Sequence, residues 1–147
     1  MVKKGLVVII TYSDGSSEIR TGGSRAWRNN NPGNLEYRDF AKQHGAIGTD
    51  GRFAIFPDRA TGETAQETLL RSRYMNKTID EAVAAYAPPS DNDTATYQRS
   101  VSRALRLPGT TEMKTLTEEQ FKVFISVLRR KEGWEEGNIT YTPANKP

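Results

Sequence analysis

The apolar residues of this chain change their spacing once, near Thr61, and that change constrains the fold more than any single residue does. Before it they come in short β-prone runs separated by Gly, Pro, Asn and Asp; after it they recur at helical intervals. The pattern predicts an α+β protein in which N-terminal β-hairpins and ordered loops pack against a mainly helical C-terminal part.

Residues 6–12 and 17–20 are β-prone runs joined by "SDGS", where Asp-Gly supplies the positive φ angles of a tight turn, so a hairpin is predicted. The apolar run "GLVVII" is short, rich in β-branched residues and followed by no small-residue cleavage site, so it reads as a strand and not as a signal peptide. "AIGTDGRFAIF" predicts a second hairpin turning at Asp50-Gly51. Between the two lies "RTGGSRAWRNNNPGNLEY", which a flexible linker would not resemble: Trp27 and Leu35 have no use unless the segment is ordered against a core.

From Thr61, Ala65, Leu69 and Leu70 fall at helical spacing. A capping box of Thr78 and Glu81 opens a second helix, which Pro88-Pro89 stops. "SDNDT" caps a third, bearing Tyr97, Val101 and Leu105 on one face. Its Asp-x-Asp spacing lacks the Gly and the distant Glu of a calcium loop. Thr117 and Gln120 open a fourth helix with Phe121, Phe124, Ile125 and Leu128 in one stripe, ending at Gly133.

A chain of 147 residues, 35% hydrophobic and 27% charged, fits one compact domain. Its expected parts are a strand and loop lobe at 1–60, a helical lobe at 61–134 and a C-terminal strand or tail at 135–147. The absence of Cys excludes disulfides, thiolate metal sites and Cys nucleophiles. His44 is the only histidine, which excludes a His-rich zinc centre; no metal and no cofactor is implied, and carboxylates are the more plausible catalysts. A net charge of +3 biases the chain mildly toward anionic partners. No segment reads as a membrane span. The expectation is synthesis in the cytoplasm without a signal peptide, so that work beyond it needs another export route.

Glu132 lies four residues after Leu128 and extends the buried stripe as a carboxylate at a helix C-terminus. Desolvation and the helix dipole both disfavour its negative charge, which favours an acid that stays protonated near neutral pH. Glycoside hydrolysis needs such an acid to protonate the leaving oxygen. The plainer alternative is a surface Glu paired with Arg129 or Lys131.

"RRKEGW" resembles the Glu-Gly or Glu-Ser-Gly-Trp signature that closes the catalytic helix of lysozyme-like enzymes. "NNNPGNL" and the following "GRFAIFPDRATGETAQETLLRSRY" resemble a segment of the glucosaminidase branch, in which the Glu helix precedes the Asn turn. Here the order is reversed, as in a circular permutation. "TGGSRAWRNNNPGNL", "GAIGTDGRFAIFPD", "YAPPSDNDTATYQ" and "RRKEGW", in this order, resemble a lysozyme-like domain of phage virion proteins and type VI secretion effectors across residues 18–138.

The resemblance implies a lysozyme-like fold and cleavage of peptidoglycan glycan strands with Glu132 as general acid. A muramidase is the first reading; a glucosaminidase, a lytic transglycosylase, a silent wall-binding or virion module, and an enzyme cutting the peptide stems are the others. Glu36, Asp39 and Asp50 are candidates for a second carboxylate, although Asp50 is also the natural turn residue of "TDG". Asn30, Asn31 and Asn34 are candidate sugar ligands that can equally lock the turn. Tyr86, Tyr97 and Trp134 are candidate groove aromatics, with core packing the default for Tyr97. Delivery by a secretion spike or virion carrier is implied, with an immunity protein in a producing cell. Arg20, Arg25 and Arg28 around Trp27 form a basic aromatic patch, but no nucleic-acid module accompanies it and nucleic acid is not expected.

Overall fold

The computed structural model describes residues 7–90 and 92–144. It is an α+β protein that divides into two compact units, residues 1–66 with 132–147 and residues 67–131. The opening residues of the predicted first strand and the last residues of the C-terminal segment lie outside the described residues, as does Asp91 in "SDNDT".

The first unit is built on a three-stranded antiparallel sheet, β1 (Val7–Thr11), β2 (Ser17–Thr21) and β5 (Asn138–Thr142), with β2 in the centre. Ile9 faces Ile19, and Ile19 faces Thr140. Alternation buries Val8 and Ile10 and leaves Val7 and Ile9 exposed, as a period of two requires. The β1–β2 connection is looser than a two-residue turn. Of Asp14-Gly15 only Gly15 has positive φ, and Asp14 instead accepts from the Ser16 N–H at 2.8 Å.

The loop region holds two short helices that its Gly and Asn content concealed, α1 (Arg25–Arg28) and α2 (Asp39–Gln43). The second hairpin is present as β3 (Gly48–Thr49) and β4 (Ala54–Ile55), with Gly51 at φ 116° in its turn. Helix α3 (Arg59–Arg73) begins before Thr61, because Asp58 accepts from the Thr61 N–H at 2.8 Å and caps the first turn. Trp27, Leu35, Ala54, Phe56 and Ala65 are buried in this unit.

The second unit holds α4 (Ile79–Tyr86), α5 (Thr94–Leu105), a single 3₁₀ turn at Met113–Thr115 and α6 up to Lys131; α6 as a whole is Glu118–Glu132. Both predicted capping boxes form. Glu81 N–H donates to Thr78 Oγ1 at 3.2 Å while Thr78 N–H donates to Glu81, and Thr117 and Gln120 repeat the exchange at 2.9 and 3.1 Å. Val83, Tyr97, Val101, Phe121, Phe124 and Leu128 join one apolar cluster, each large side chain contributing about 1.5–3 kcal/mol by burial. Among the described residues no helix is long and apolar enough to cross a membrane.

Candidate active site

The Asn-rich turn is held by its own amides. Ser24 caps α1 by accepting from the Trp27 N–H at 3.2 Å, and Trp27 sinks into the core at 4% exposure. The chain then reverses through Asn30 and Asn34, both at positive φ, 52° and 48°, where Asn is tolerated better than most side chains. Asn31 is fully buried: its Nδ2 donates to the carbonyls of Leu35 (2.9 Å) and Ala54 (3.0 Å), and its Oδ1 accepts from Leu35 N–H at 2.9 Å. Asn30 Nδ2 donates to the Phe56 carbonyl at 3.2 Å. Both side chains are thus engaged by backbone and shielded from solvent.

Asn34 differs. Its Nδ2 donates to the backbone carbonyl of Glu132 at 3.2 Å and lies 3.5 Å from the carboxylate Oε2. The carbonyl only accepts, which fixes the amide with its nitrogen toward Glu132. Glu132 is the last residue of α6, and Gly133 follows at φ 85°, the left-handed conformation that ends a helix. Ser24 secures the segment beyond: its Oγ donates to Gly133 O at 3.3 Å and accepts from Glu135 N–H at 2.9 Å, while Ser24 N–H donates to Glu135 O at 2.8 Å.

Glu132 is half-buried, and its carboxyl is held above the ordinary value by that burial, with the Asn34 amide pulling weakly the other way. Burial and the Asn34 amide are the two influences on its acidity. Trp134, two residues on, is half-buried under the Arg59 guanidinium, 4.5 Å from its ring centroid. Among the described residues its buried Nε1 finds no acceptor, and Asn34 Oδ1 no donor.

The other candidate carboxylates sit differently. Asp50 is a turn anchor. It pairs with Arg25 through Nε and through Nη2 at 2.9 Å, and accepts from Asn29 Nδ2 (2.9 Å) and the N–H groups of Arg52 (3.0 Å) and Phe53 (2.9 Å). Burial opposes its ionisation, but these donors outweigh that and hold its carboxyl well below the ordinary value. Glu36 pairs with Arg38 at 2.7 Å and with Arg52 at 3.4 Å, and its acidity is strengthened chiefly by the Arg38 hydrogen bond against the effect of burial. Asp39 is exposed in the first turn of α2 and has no hydrogen bond or ion pair among the described residues.

Tyr97 and Tyr86 belong to the helical unit. Tyr97 is 5% exposed and its hydroxyl donates to the Leu128 carbonyl at 3.4 Å, so its default as a core residue describes it. Tyr86 is half-buried, edge-on to Tyr74 at 6.2 Å. The basic patch around Trp27 is used internally: Arg20 Nη1 donates to Trp27 O at 2.7 Å, Arg25 holds Asp50, and buried Arg28 donates to the carbonyls of Gly22 (3.0 Å) and Gly23 (2.8 Å). His44 stacks on Phe40 at 4.0 Å and donates from Nδ1 to its carbonyl at 2.7 Å.

Three contributors were missed from sequence: Ser24, Asn29 and Arg59. Ser24 before "RAWR" carries an N-cap signal that finds it; nothing local marks Asn29 or Arg59. Fold and site define an α+β protein with a half-buried carboxylate at a helix end, braced by an Asn-rich turn. The chain matches no protein-family model and no curated protein at a significant level.

Proposed function

We propose that the protein is a lysozyme-like glycoside hydrolase that cuts the glycan strands of peptidoglycan, with Glu132 as general acid. The observation that carries this is the state of Glu132: partly desolvated, its carboxyl held above the ordinary value so that the protonated form is favoured, and positioned by Asn34. A protonated carboxyl in that setting donates to the glycosidic oxygen as the bond to the anomeric carbon breaks.

Hydrolysis also needs a base or nucleophile. Asp50 has every acceptor site engaged and Glu36 is paired with two arginines, which leaves Asp39 as the unengaged member of the three. The same observation favours a second reading, a lytic transglycosylase, in which the 6-hydroxyl of the substrate attacks and one protein carboxylate suffices. The biological setting we propose is an antibacterial effector or phage wall-degrading protein carried by a secretion spike or virion, with an immunity protein where the producer is itself bacterial.

Mass spectrometry of digested peptidoglycan tests the reading. Reducing-end muramic acid identifies a muramidase, reducing-end glucosamine a glucosaminidase, and an anhydro sugar a transglycosylase. Glu132→Gln should fold and lose at least ~10²-fold of the activity, the usual contribution of general acid catalysis. Wild-type protein that binds walls but releases no glycan fragment would make this a silent wall-binding module, and full activity in Glu132→Gln would remove the proposed acid.

A further inference from the structure

We propose that the exposed arginines of α5 form a docking surface for the carboxylate-bearing peptide stems of peptidoglycan; this rests on the wall-polymer reading above. Charge is unequally shared between the two units. Residues 67–131 hold 11 Lys and Arg against 8 Asp and Glu, while residues 1–66 and 132–147 hold 10 of each, so the whole excess of +3 belongs to the helical unit.

Several cations of that unit are neutralised in place. Arg71 pairs with Glu67 at 3.0 Å and Glu118 at 2.8 Å, and Lys114 pairs with Glu112 at 3.1 Å. Helix α5 is different: it contains no acidic residue at all. Arg99 and Arg103, four apart, share one helical face, and Arg106 follows at the C-cap in the left-handed conformation. All three are exposed and none forms a salt bridge among the described residues; Arg99 donates to Thr96 Oγ1 at 3.0 Å, and its charge also acts on the Asp93 carboxylate at the N-cap of α5. The opposite face buries Tyr97, Val101 and Leu105, so Arg99 and Arg103 stand on a firmly packed helix, about 6 Å apart along its axis at 1.5 Å per residue.

The chemistry of these arginines selects among anionic partners. Guanidinium forks match carboxylates, which recur along peptide stems. A lipid surface would need apolar side chains entering the bilayer, and the large exposed hydrophobics, Val7, Ile9, Ile47, Val123, Ile139 and Tyr141, all lie off α5. Stacking on single-stranded nucleic acid would call for exposed aromatics, and the one aromatic of α5, Tyr97, is buried; duplex DNA is an arm of the test below.

The test separates binding from cleavage by using Glu132→Gln as the parent. Cosedimentation with Gram-negative sacculi is measured for this parent, for Arg99→Gln/Arg103→Gln/Arg106→Gln added to it, and for the matching triple Lys variant. Each is repeated on sacculi whose carboxyls are amidated with carbodiimide and a neutral amine. The expected result is an affinity about tenfold lower for the triple Gln variant, partial retention by the Lys variant, and a loss for the parent on amidated sacculi. Equal binding to native and amidated sacculi would overturn the proposal even if the triple variants failed to fold. So would undiminished binding by a folded triple Gln variant, or tighter binding of the parent to phosphatidylglycerol vesicles or duplex DNA than to sacculi. Wild-type glycan release is read separately, so failure of the glycosidase reading is distinguishable from failure of this one.

Discussion

One amide, that of Asn34, reaches both the backbone carbonyl of Glu132 at 3.2 Å and its carboxylate at 3.5 Å across 98 residues of sequence. The two bonds have different consequences. The first fixes where α6 ends; the second favours the ionised carboxylate, against the burial that disfavours it.

Removing that amide should therefore separate position from acidity. Asn34→Gly is the suitable variant, because Gly keeps the positive φ of 48° without strain. Activity that depends on protonated Glu132 falls as pH rises through its raised value. Without the Asn34 donor that value rises further, so the alkaline limb of the pH–rate profile should move to higher pH while kcat drops about tenfold from lost positioning. A limb that stays in place, or moves down, would show that Asn34 does not act on the carboxyl.

The same acidity has a stability consequence. A carboxyl whose value is raised in the folded state contributes fully below its unfolded value and loses that contribution as pH rises through the folded value. Glu132→Gln should then be more stable than wild type at pH 7, by about 1 kcal/mol, the common gain when a functionally strained group is neutralised. Thermal melts should converge well below pH 4.5, the ordinary value for the group. A variant less stable than wild type at pH 7 would mean that the charge is favourably paired.

Asp50 should behave oppositely. Its carboxyl is held below the ordinary value, so its contribution is present above the unfolded value of 3.8 and is lost as pH falls through the folded one. Asp50→Asn replaces an acceptor of five donors and should cost about 1–3 kcal/mol at pH 7 in urea unfolding. Because the role is structural, the remaining folded protein should release the same glycan products as wild type. A changed product, or catalytic loss without lost stability, would move Asp50 into the chemistry.

Period and caps made the helical part legible. Thr78 with Glu81 and Thr117 with Gln120 state their helix starts locally, and Phe121, Phe124, Ile125 and Leu128 state which face is buried. Glu132 was legible for the same reason, as the polar continuation of an apolar stripe. The Asn turn was not, because its conformation is set by distant partners: Asn31 is defined by Leu35 and Ala54, and Asn34 by Glu132. Helix α1 was concealed by residues that favour turns, and Asp58 moved the start of α3 ahead of the first periodic apolar residue.

Gly62 supplies a test of that distant definition, because helix propensity and packing predict opposite signs there. It lies inside α3, where Gly→Ala ordinarily stabilises by about 1 kcal/mol. At this position an added Cβ would overlap the Asn30 carbonyl oxygen and come within 3.1 Å of Pro32 Cδ, so α3 approaches the Asn turn more closely than any other residue permits. Backbone on one side and a proline ring on the other leave little that can yield. Gly62→Ala should thus destabilise by about 2–4 kcal/mol, with the turn displaced from α3 and Asn34 carried out of register with Glu132. Urea unfolding gives the sign, and the amide proton signals of Asn30, Asn31 and Asn34 side chains report the turn. A stabilised Gly62→Ala protein with those signals unmoved would show that the close approach is not needed to hold the site.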